Sequence, residues 1–338
     1  MTPQITFYLP TTHSNPYPET IAQYWPWMQN QQVKYPGPES WILQTYLQLK
    51  AAGFDCQLSQ DLPERGIIIA HRYHFKNTQK PNPTQLFICT RDDKFIHPYS
   101  QHHIVQNARQ TKLLSVAPIW RSTYIPLWTQ IGLTPRNADR TNKFENLTYL
   151  GDPDCLAPEL KDPTWATNLA ALGINWIVNA DTSTWSDYST TDAILAIRSF
   201  DKNPHHHKPA SKLLNAWLAG VPAILGPESA YRNERHSPDD YLEASSVESA
   251  LEAVKRLKQD PALRQRIINQ SRTRAQEIQT DALRDRWIQF LTGPATKQYH
   301  RWCATPRWQQ EAFLEGRRQI LHKLDGIQRR RGITLQPS

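Results

Sequence analysis

The run from Lys208 to Ser229, KPASKLLNAWLAGVPAILGPES, restricts the fold of this chain more than any other stretch. Pro209 suits a first helical turn, where its missing N–H is no loss, and this puts Ser211 and Lys212 in the same turn. Leu213, Leu214, Trp217 and Leu218 recur with helical spacing, and Gly220 stops the helix. Val221 to Leu225 is short and apolar enough for a strand buried on both faces of a parallel sheet. Gly226, Pro227, Glu228 and Ser229 then form a polar loop at that strand's carboxyl end, the edge at which open α/β sheets bind ligands. Amide N–H groups in the first turn of a helix lack intrahelical acceptors, so the Ser211–Lys212 turn is suited to a phosphate.

The flanking sequence repeats the same alternation of strand and helix. In the first half, Ile5 to Leu9, Phe54 to Leu58, Gly66 to Ala70 and Leu86 to Cys89 read as strands, with an amphipathic helix from Glu39 to Ala52. A long loop is expected over Pro10 to Pro38, and loops of that length in compact domains are usually functional. One further strand is expected near Leu113 to Ala117, followed by a connector over Pro126 to Asn137. The second half offers strands at Leu147 to Leu150, Ile174 to Val178 and Ala193 to Ile197, and a short segment at Tyr241 to Ala244. Helices are expected near Thr164 to Leu172, Val247 to Lys258 and Pro261 to Gln279. The fold class is therefore α/β, with two Rossmann-like doubly wound domains. The expected boundaries are 1–145, 146–280 and a helical, basic tail over 281–338.

A chain of 338 residues is long enough for two such domains, each with its own core. Cys56, Cys89, Cys155 and Cys303 lie far apart with no C-x-x-C pair, so neither a zinc site nor a disulfide framework is indicated, and a reducing cytoplasm suits them. No apolar run approaches the length of a membrane span, and the N-terminal residues lack a signal-peptide layout, so a cytoplasmic protein is expected. From Lys297 onward nine Lys/Arg face three acidic residues, which accounts for six of the chain's net charge of +8. With Trp302, Trp308, Phe313, Ile320, Leu324 and Ile327 between those charges, the tail is a candidate for peripheral contact with an anionic membrane. The alternative is a helix packed on the first domain with a solvated basic face. Charge alone would also admit nucleic acid, but no recognised binding motif accompanies it.

The segment Ala210, Ser211, Lys212, Leu213, Leu214, Asn215, Ala216, Trp217, Leu218, Ala219, Gly220, Val221, Pro222 resembles the nucleotide-sugar-binding segment of GT-B glycosyltransferases. It is closest to the fucosyltransferase-like pattern T-E-K-L-x-N/D-A-L-x-A-G-x-V-P-V. The family's acidic residue before the lysine is Ser211 here. Many retaining members carry two glutamates eight positions apart in this region, and the equivalent positions are His207 and Asn215, which favours inversion. The resemblance implies two domains facing a cleft and C-terminal helices that cross back to the first. It also implies transfer of a sugar from a nucleotide-diphosphate sugar to the hydroxyl of a glycan, lipid-linked or small-molecule acceptor, with no cofactor.

On that resemblance, Lys212 and the helix N-terminus face the departing diphosphate. Arg198 and Lys208, at the edges of the preceding loop, are further phosphate candidates, and Arg198 could instead pair with Asp192 or Asp201. Glu228 is placed for sugar or ribose hydroxyls, and Ser211, Asn215 and Ser229 complete the donor set. An inverting enzyme needs a base, for which His13, Glu39 and His71 are candidates in the first domain. Arg72, Arg91 and Asp92, beside Asp93, could hold the acceptor. His205, His206 and His207 are adjacent and so do not converge on one metal ion, and Asp152-Pro153-Asp154 reads as a turn. Two other functions share these features: a GT-B-like nucleotide-sugar epimerase and a non-catalytic carbohydrate-binding protein.

Overall fold

The computed structural model describes residues 2–10, 15–31, 37–92, 96–114, 120–201 and 203–330. Contacts divide the chain into unit 1, comprising Met1–Trp128, His207–Pro209 and Leu283–Ser338, and unit 2, comprising Thr129–His206 and Ala210–Ala282.

Unit 1 begins with β1 (Ile5–Tyr8), α1 (Ile21–Gln31) and a π-helical turn, Glu39–Leu43, that runs into α2 (Gln44–Ala51). It continues through β2 (Gln57–Ser59), β3 (Gly66–His71), β4 (Gln85–Arg91), β5 (His102–Val105), α3 (Ala108–Leu114) and β6 (Arg121–Tyr124). The six strands form a parallel sheet in the order β2-β1-β3-β4-β5-β6. Ile67 to Ala70 and Leu86 to Cys89 are fully buried, as the apolar runs of β3 and β4 require when both faces of a parallel sheet are covered. The strand order reverses at β1, so the carboxyl ends of β1 and β3 flank a switch point. Two expectations need correcting. Residues 10–38 are not one loop, since they contain α1 with Pro26 inside it. Leu113 and Leu114, expected to open a strand that runs to Ala117, instead end α3; residues 115–117 lie outside the described residues, and the next described strand is β6.

Unit 2 contains β7 (Asn146–Leu150), α4 (Pro163–Ala171), β8 (Asn175–Asn179), β9 (Ala193–Ala196), α5 (Ser211–Ala219) and β10 (Ala223–Leu225). It ends with α6 (Ser229–Glu234), β11 (Leu242–Glu243), α7 (Val247–Gln259) and α8 (Pro261–Gln276). Its parallel sheet runs β11-β10-β9-β7-β8. Leu147, Leu195, Leu213, Trp217, Ile224 and Leu257 share one core, so the apolar stripe of α5 is what seats that helix on the sheet. Local signals set the helix ends: Asp162 accepts from Thr164 N at 2.8 Å before α4, and Ser246 and Ser249 form a capping box on α7. Gly220 ends α5 in the left-handed region, at φ 68°, a conformation in which a Cβ would be strained. Residues 129–145, expected with the first domain, belong to unit 2. Thr134 N donates to Ser186 O at 2.8 Å, and Phe144 lies in the unit 2 core.

After α8 the chain forms α9 (Thr280–Phe290), a π-helical turn at Leu291–Ala295, α10 (Thr296–Ala304) and α11 (Arg307–Arg330). From Leu283 onward these helices belong to unit 1, so the C-terminal helices return to the first domain. Trp287 packs edge-on against Phe7 at 6.4 Å and Trp41 at 6.5 Å. Trp302 Nε1 donates to Asn82 O at 3.2 Å.

Candidate functional site

In unit 2 the strand order reverses at β7, between β8 and β9, which makes the carboxyl ends of β7 and β9 the ligand-binding edge of this sheet. The crossover from β9 to β10 through α5 brings the start of α5 to the same edge. The helix starts at Ser211 with Ala210 as its N-cap and without a side-chain cap. Pro209 therefore precedes the helix rather than opening it. The first amide to find an intrahelical carbonyl is Leu214 N, which donates to Ala210 O at 3.1 Å. The amides of Ser211, Lys212 and Leu213 come before that ladder, as first-turn donors do.

The Lys212 side chain is half-buried and turns inward over the sheet edge. Its Nζ donates to Leu150 O at the end of β7 and lies 5.4 Å from the centre of the Tyr149 ring and 5.5 Å from that of Trp185. Gly151 makes room for it, because a Cβ there would fall 2.7 Å from Lys212 Nζ. Burial, and then the Arg198 guanidinium, lower the Lys212 pKa to about 8. Lys212 is thus a cation in a poorly solvated place beside a second cation.

Arg198 follows β9, and its Nε donates to Glu228 Oε2 at 3.1 Å. Glu228 follows β10 and is 2% exposed. Burial opposes the Arg198 charge, but Glu228, followed by Tyr231, Cys155 and Tyr149, holds its pKa above the ordinary arginine value. Neither partner expected for Arg198 as a structural residue takes up this pair. Asp192 is held by Arg136 at 2.8 Å and Arg140 at 2.6 Å, and Asp201 accepts from Ser199 Oγ at 2.6 Å. Ser229 Oγ lies 3.0 Å from His206 Nδ1.

One donor candidate is committed elsewhere. Asn215 Oδ1 accepts from Gln130 N at 3.3 Å, and the side chain also bonds Tyr188, which ties the 129–134 connector to α5. Lys208 lies in the short segment that joins unit 1, where Gln106 Nε2 donates to His207 O at 2.8 Å and Asn107 Nδ2 to Lys208 O at 3.1 Å.

In unit 1, His71 closes β3 and is fully buried, with Nε2 at 3.3 Å from Asp92 Oδ2 just beyond β4. His71 Nδ1 accepts from Tyr73 N at 3.3 Å, so the neutral ring carries its proton on Nε2, toward the carboxylate. Gly37 sits against this pair, since a Cβ on it would lie 3.1 Å from Asp92 Oδ2 and 3.5 Å from His71 Nε2. The pairing of His71 with Asp92, like the packing of Gly151, Tyr149 and Trp185 around Lys212, is not visible in the sequence. Only the glycine directly after a strand hinted at it.

Glu39 is buried at the start of the π-helical turn; burial raises the Tyr24 pKa, and the Glu39 charge adds to that rise. Arg72 donates to Phe75 O at 3.1 Å and to Asn77 Oδ1, which closes the turn after β3. Arg91 ends β4, half-buried, where its charge acts on Cys89 and His103. His13 and Asp93 lie outside the described residues.

Among the described residues no cluster of three His, Cys, Asp or Glu could hold a metal ion. Asp152 Oδ1 accepts from Asp154 N at 2.9 Å, the expected turn. In α11 Trp308, Phe313, Ile320 and Leu324 are exposed, and among the described residues no helix is long and apolar enough to cross a membrane.

No protein-family model matches the chain, and no curated protein does. Solved structures do match. AviGT4, a glycosyltransferase involved in avilamycin A biosynthesis, is similar over 89% of this chain and 98% of its own, with TM-score 0.50 and 12% identity. Sucrose-phosphate synthase from Thermosynechococcus elongatus is similar over 66% of this chain and 72% of its own, with TM-score 0.47 and 13% identity. The GtfA/B complex matches over 76% of this chain and 60% of its own, with TM-score 0.48 and 12% identity. With two parallel sheets flanked by helices and the likeness to AviGT4, the chain has the fold of the GT-B glycosyltransferases.

Proposed function

We propose that this protein is a glycosyltransferase that moves a sugar from a nucleotide-diphosphate sugar to an acceptor hydroxyl. One observation carries the reading. At the switch point of unit 2, the open first turn of α5 and Lys212 stand beside a second cation, Arg198, which is itself paired with Glu228. That edge has a positive balance and suits a diphosphate. As the bond between the sugar and the diphosphate breaks, negative charge grows on the leaving phosphate, and donors already in place lower the barrier. Lys212 would exchange its bond to Leu150 O for a phosphate oxygen, which restores the proton affinity that burial removed. Glu228 orients Arg198, and in this reading it accepts from sugar or ribose hydroxyls once the donor is bound.

In the same reading the transfer inverts configuration, and the acceptor is a glycan, lipid-linked or small-molecule hydroxyl. Asp92 takes the acceptor's proton, and His71 is the positioning residue. With its Nδ1 facing an N–H and its Nε2 proton facing Asp92, His71 is not itself the proton acceptor. AviGT4 supports the fold on which this chemistry rests.

The test is to incubate the protein with UDP, GDP, ADP and dTDP sugars, with and without acceptors, and to analyse the products. Release of nucleoside diphosphate with glycoside formation is expected. An isomerised nucleotide sugar would show an epimerase instead, and glycan binding without any nucleotide binding would show a lectin-like protein. Contact of α11 with an anionic membrane is a secondary proposal. Failure to cosediment with phosphatidylglycerol vesicles removes it.

A further inference from the structure

Arg317 of α11 reaches into the interior of unit 1, where it is 1% exposed. Its Nη2 donates to Ser100 O, and its guanidinium lies 5.3 Å from the Phe313 ring and 5.8 Å from the Trp120 ring. Its Nε and Nη1 are buried with no hydrogen-bond partner, and among the described residues no carboxylate pairs with it. Burial alone lowers its pKa to about 9.

His103 adds another donor of the same kind. Its Nε2 accepts from His97 N at 3.1 Å, so the neutral ring carries its proton on Nδ1, which is buried without an acceptor. The neighbouring rings are already satisfied. His97 Nδ1 accepts from Ser100 N at 2.9 Å while Nε2 donates to Lys76 O at 2.9 Å. His102 joins Gln298 Oε1 at 2.8 Å and Thr123 Oγ1 at 2.9 Å. The charges acting on these three rings come from Arg72, Arg91, Arg121 and Arg317. The unmet capacity of Arg317 and His103 is therefore donor capacity in a cationic surrounding.

A buried guanidinium without a counter-charge is strongly unfavourable, and aromatic faces offset only part of that cost. A water molecule would accept the hydrogen bonds but bring no charge. A small anion supplies both. We propose that unit 1 holds one small inorganic anion, chloride or a phosphate-like oxyanion, against the buried Arg317 guanidinium, with the Nδ1 proton of His103 as a neighbouring donor, and that the anion fastens α11 to the rest of unit 1. This site uses none of the residues assigned to the sugar donor.

Thermal unfolding of the full-length protein tests the proposal, with chloride and phosphate titrated separately against gluconate at constant ionic strength. Wild type is expected to show a saturable rise in Tm of about 3 °C or more with one of the two anions. Arg317→Met is expected to lose that rise and, in gluconate alone, to be at least as stable as wild type. Phosphate held at the α5 turn would raise both proteins equally, so the difference between them is the readout. If Arg317→Met does not fold, Arg317→Lys keeps the charge but not the fork and should shift half-saturation upward by about tenfold. A wild type without a saturable rise, a rise equal in wild type and Arg317→Met, or an unshifted Arg317→Lys overturns the anion site.

Discussion

Replacing Lys212 by methionine separates its role in donor binding from its effect on stability, because the two should move in opposite directions. The amine is half-buried, and burial together with Arg198 lowers its pKa from 10.5 to about 8. At about 1.4 kcal/mol per pH unit, keeping it charged in the folded state costs about 3 kcal/mol. The folded value lies below the unfolded one, so between about pH 8 and 10.5 the unfolded chain binds more protons and stability rises with pH. Below about pH 8 the full cost is present. Methionine comes within one atom of the length of the side chain and removes the charge, while it loses the charged bond to Leu150 O, which is worth about 1.5 kcal/mol. The ligand-free variant should therefore be more stable at pH 7 by about 1–2 kcal/mol, or about 2–6 °C in Tm. The same variant should lose most of the Tm increase that wild type shows with its nucleotide sugar, and its kcat/KM should fall by at least about tenfold. Thermal shift and initial-rate assays on the same preparations measure both quantities. A variant that is less stable than wild type, yet keeps its donor-induced shift, would refute the reasoning.

Glu228→Gln leaves Arg198 buried without its carboxylate and should lower the unfolding free energy by about 3 kcal/mol; an unchanged urea midpoint would count against the pair. Asp92→Asn should reduce kcat by about 100-fold or more with little change in KM. His71→Asn should mainly shift the pH profile, and wild-type rates in both variants would remove the proposed base. Burial lowers the pKa of His97 from 6.5 to about 3 and of His102 to about 4. The unfolded chain therefore takes up protons first as pH falls below 6.5, and stability declines down to about pH 4 for His102 and about pH 3 for His97. At pH 5 these two rings should together cost about 4 kcal/mol relative to pH 7, and equal urea midpoints at pH 7 and 5 would contradict that.

Features set by neighbours in the chain are legible in the sequence. The stripe of α5, its stop at Gly220 and the buried runs of β3, β4 and β9 depend on periodicity and on one left-handed position, all set by neighbours in the chain. β5 could not be read that way, because His102 and His103 make it look polar. What satisfies His102 is Thr123 and, from a distant helix, Gln298. α1 was hidden by Pro26, and α6 by the polar loop from which it grows. The donor edge was partly legible, since Arg198, Lys212 and Glu228 all fall at strand or helix ends. The partner of Arg198 was not, because Glu228 lies thirty residues away, and neither was the inward turn of Lys212 onto Leu150. Asn215 shows the limit of motif reading, since a position shared with the family pattern is used here to hold a connector.

A crystal structure of the protein with a nucleoside diphosphate at saturating concentration tests the donor site most directly. Diphosphate oxygens are expected within hydrogen-bond distance of Ser211 N–H and Lys212 Nζ, with the amine released from Leu150 O. An α5 turn left empty while the nucleotide binds elsewhere would contradict the account.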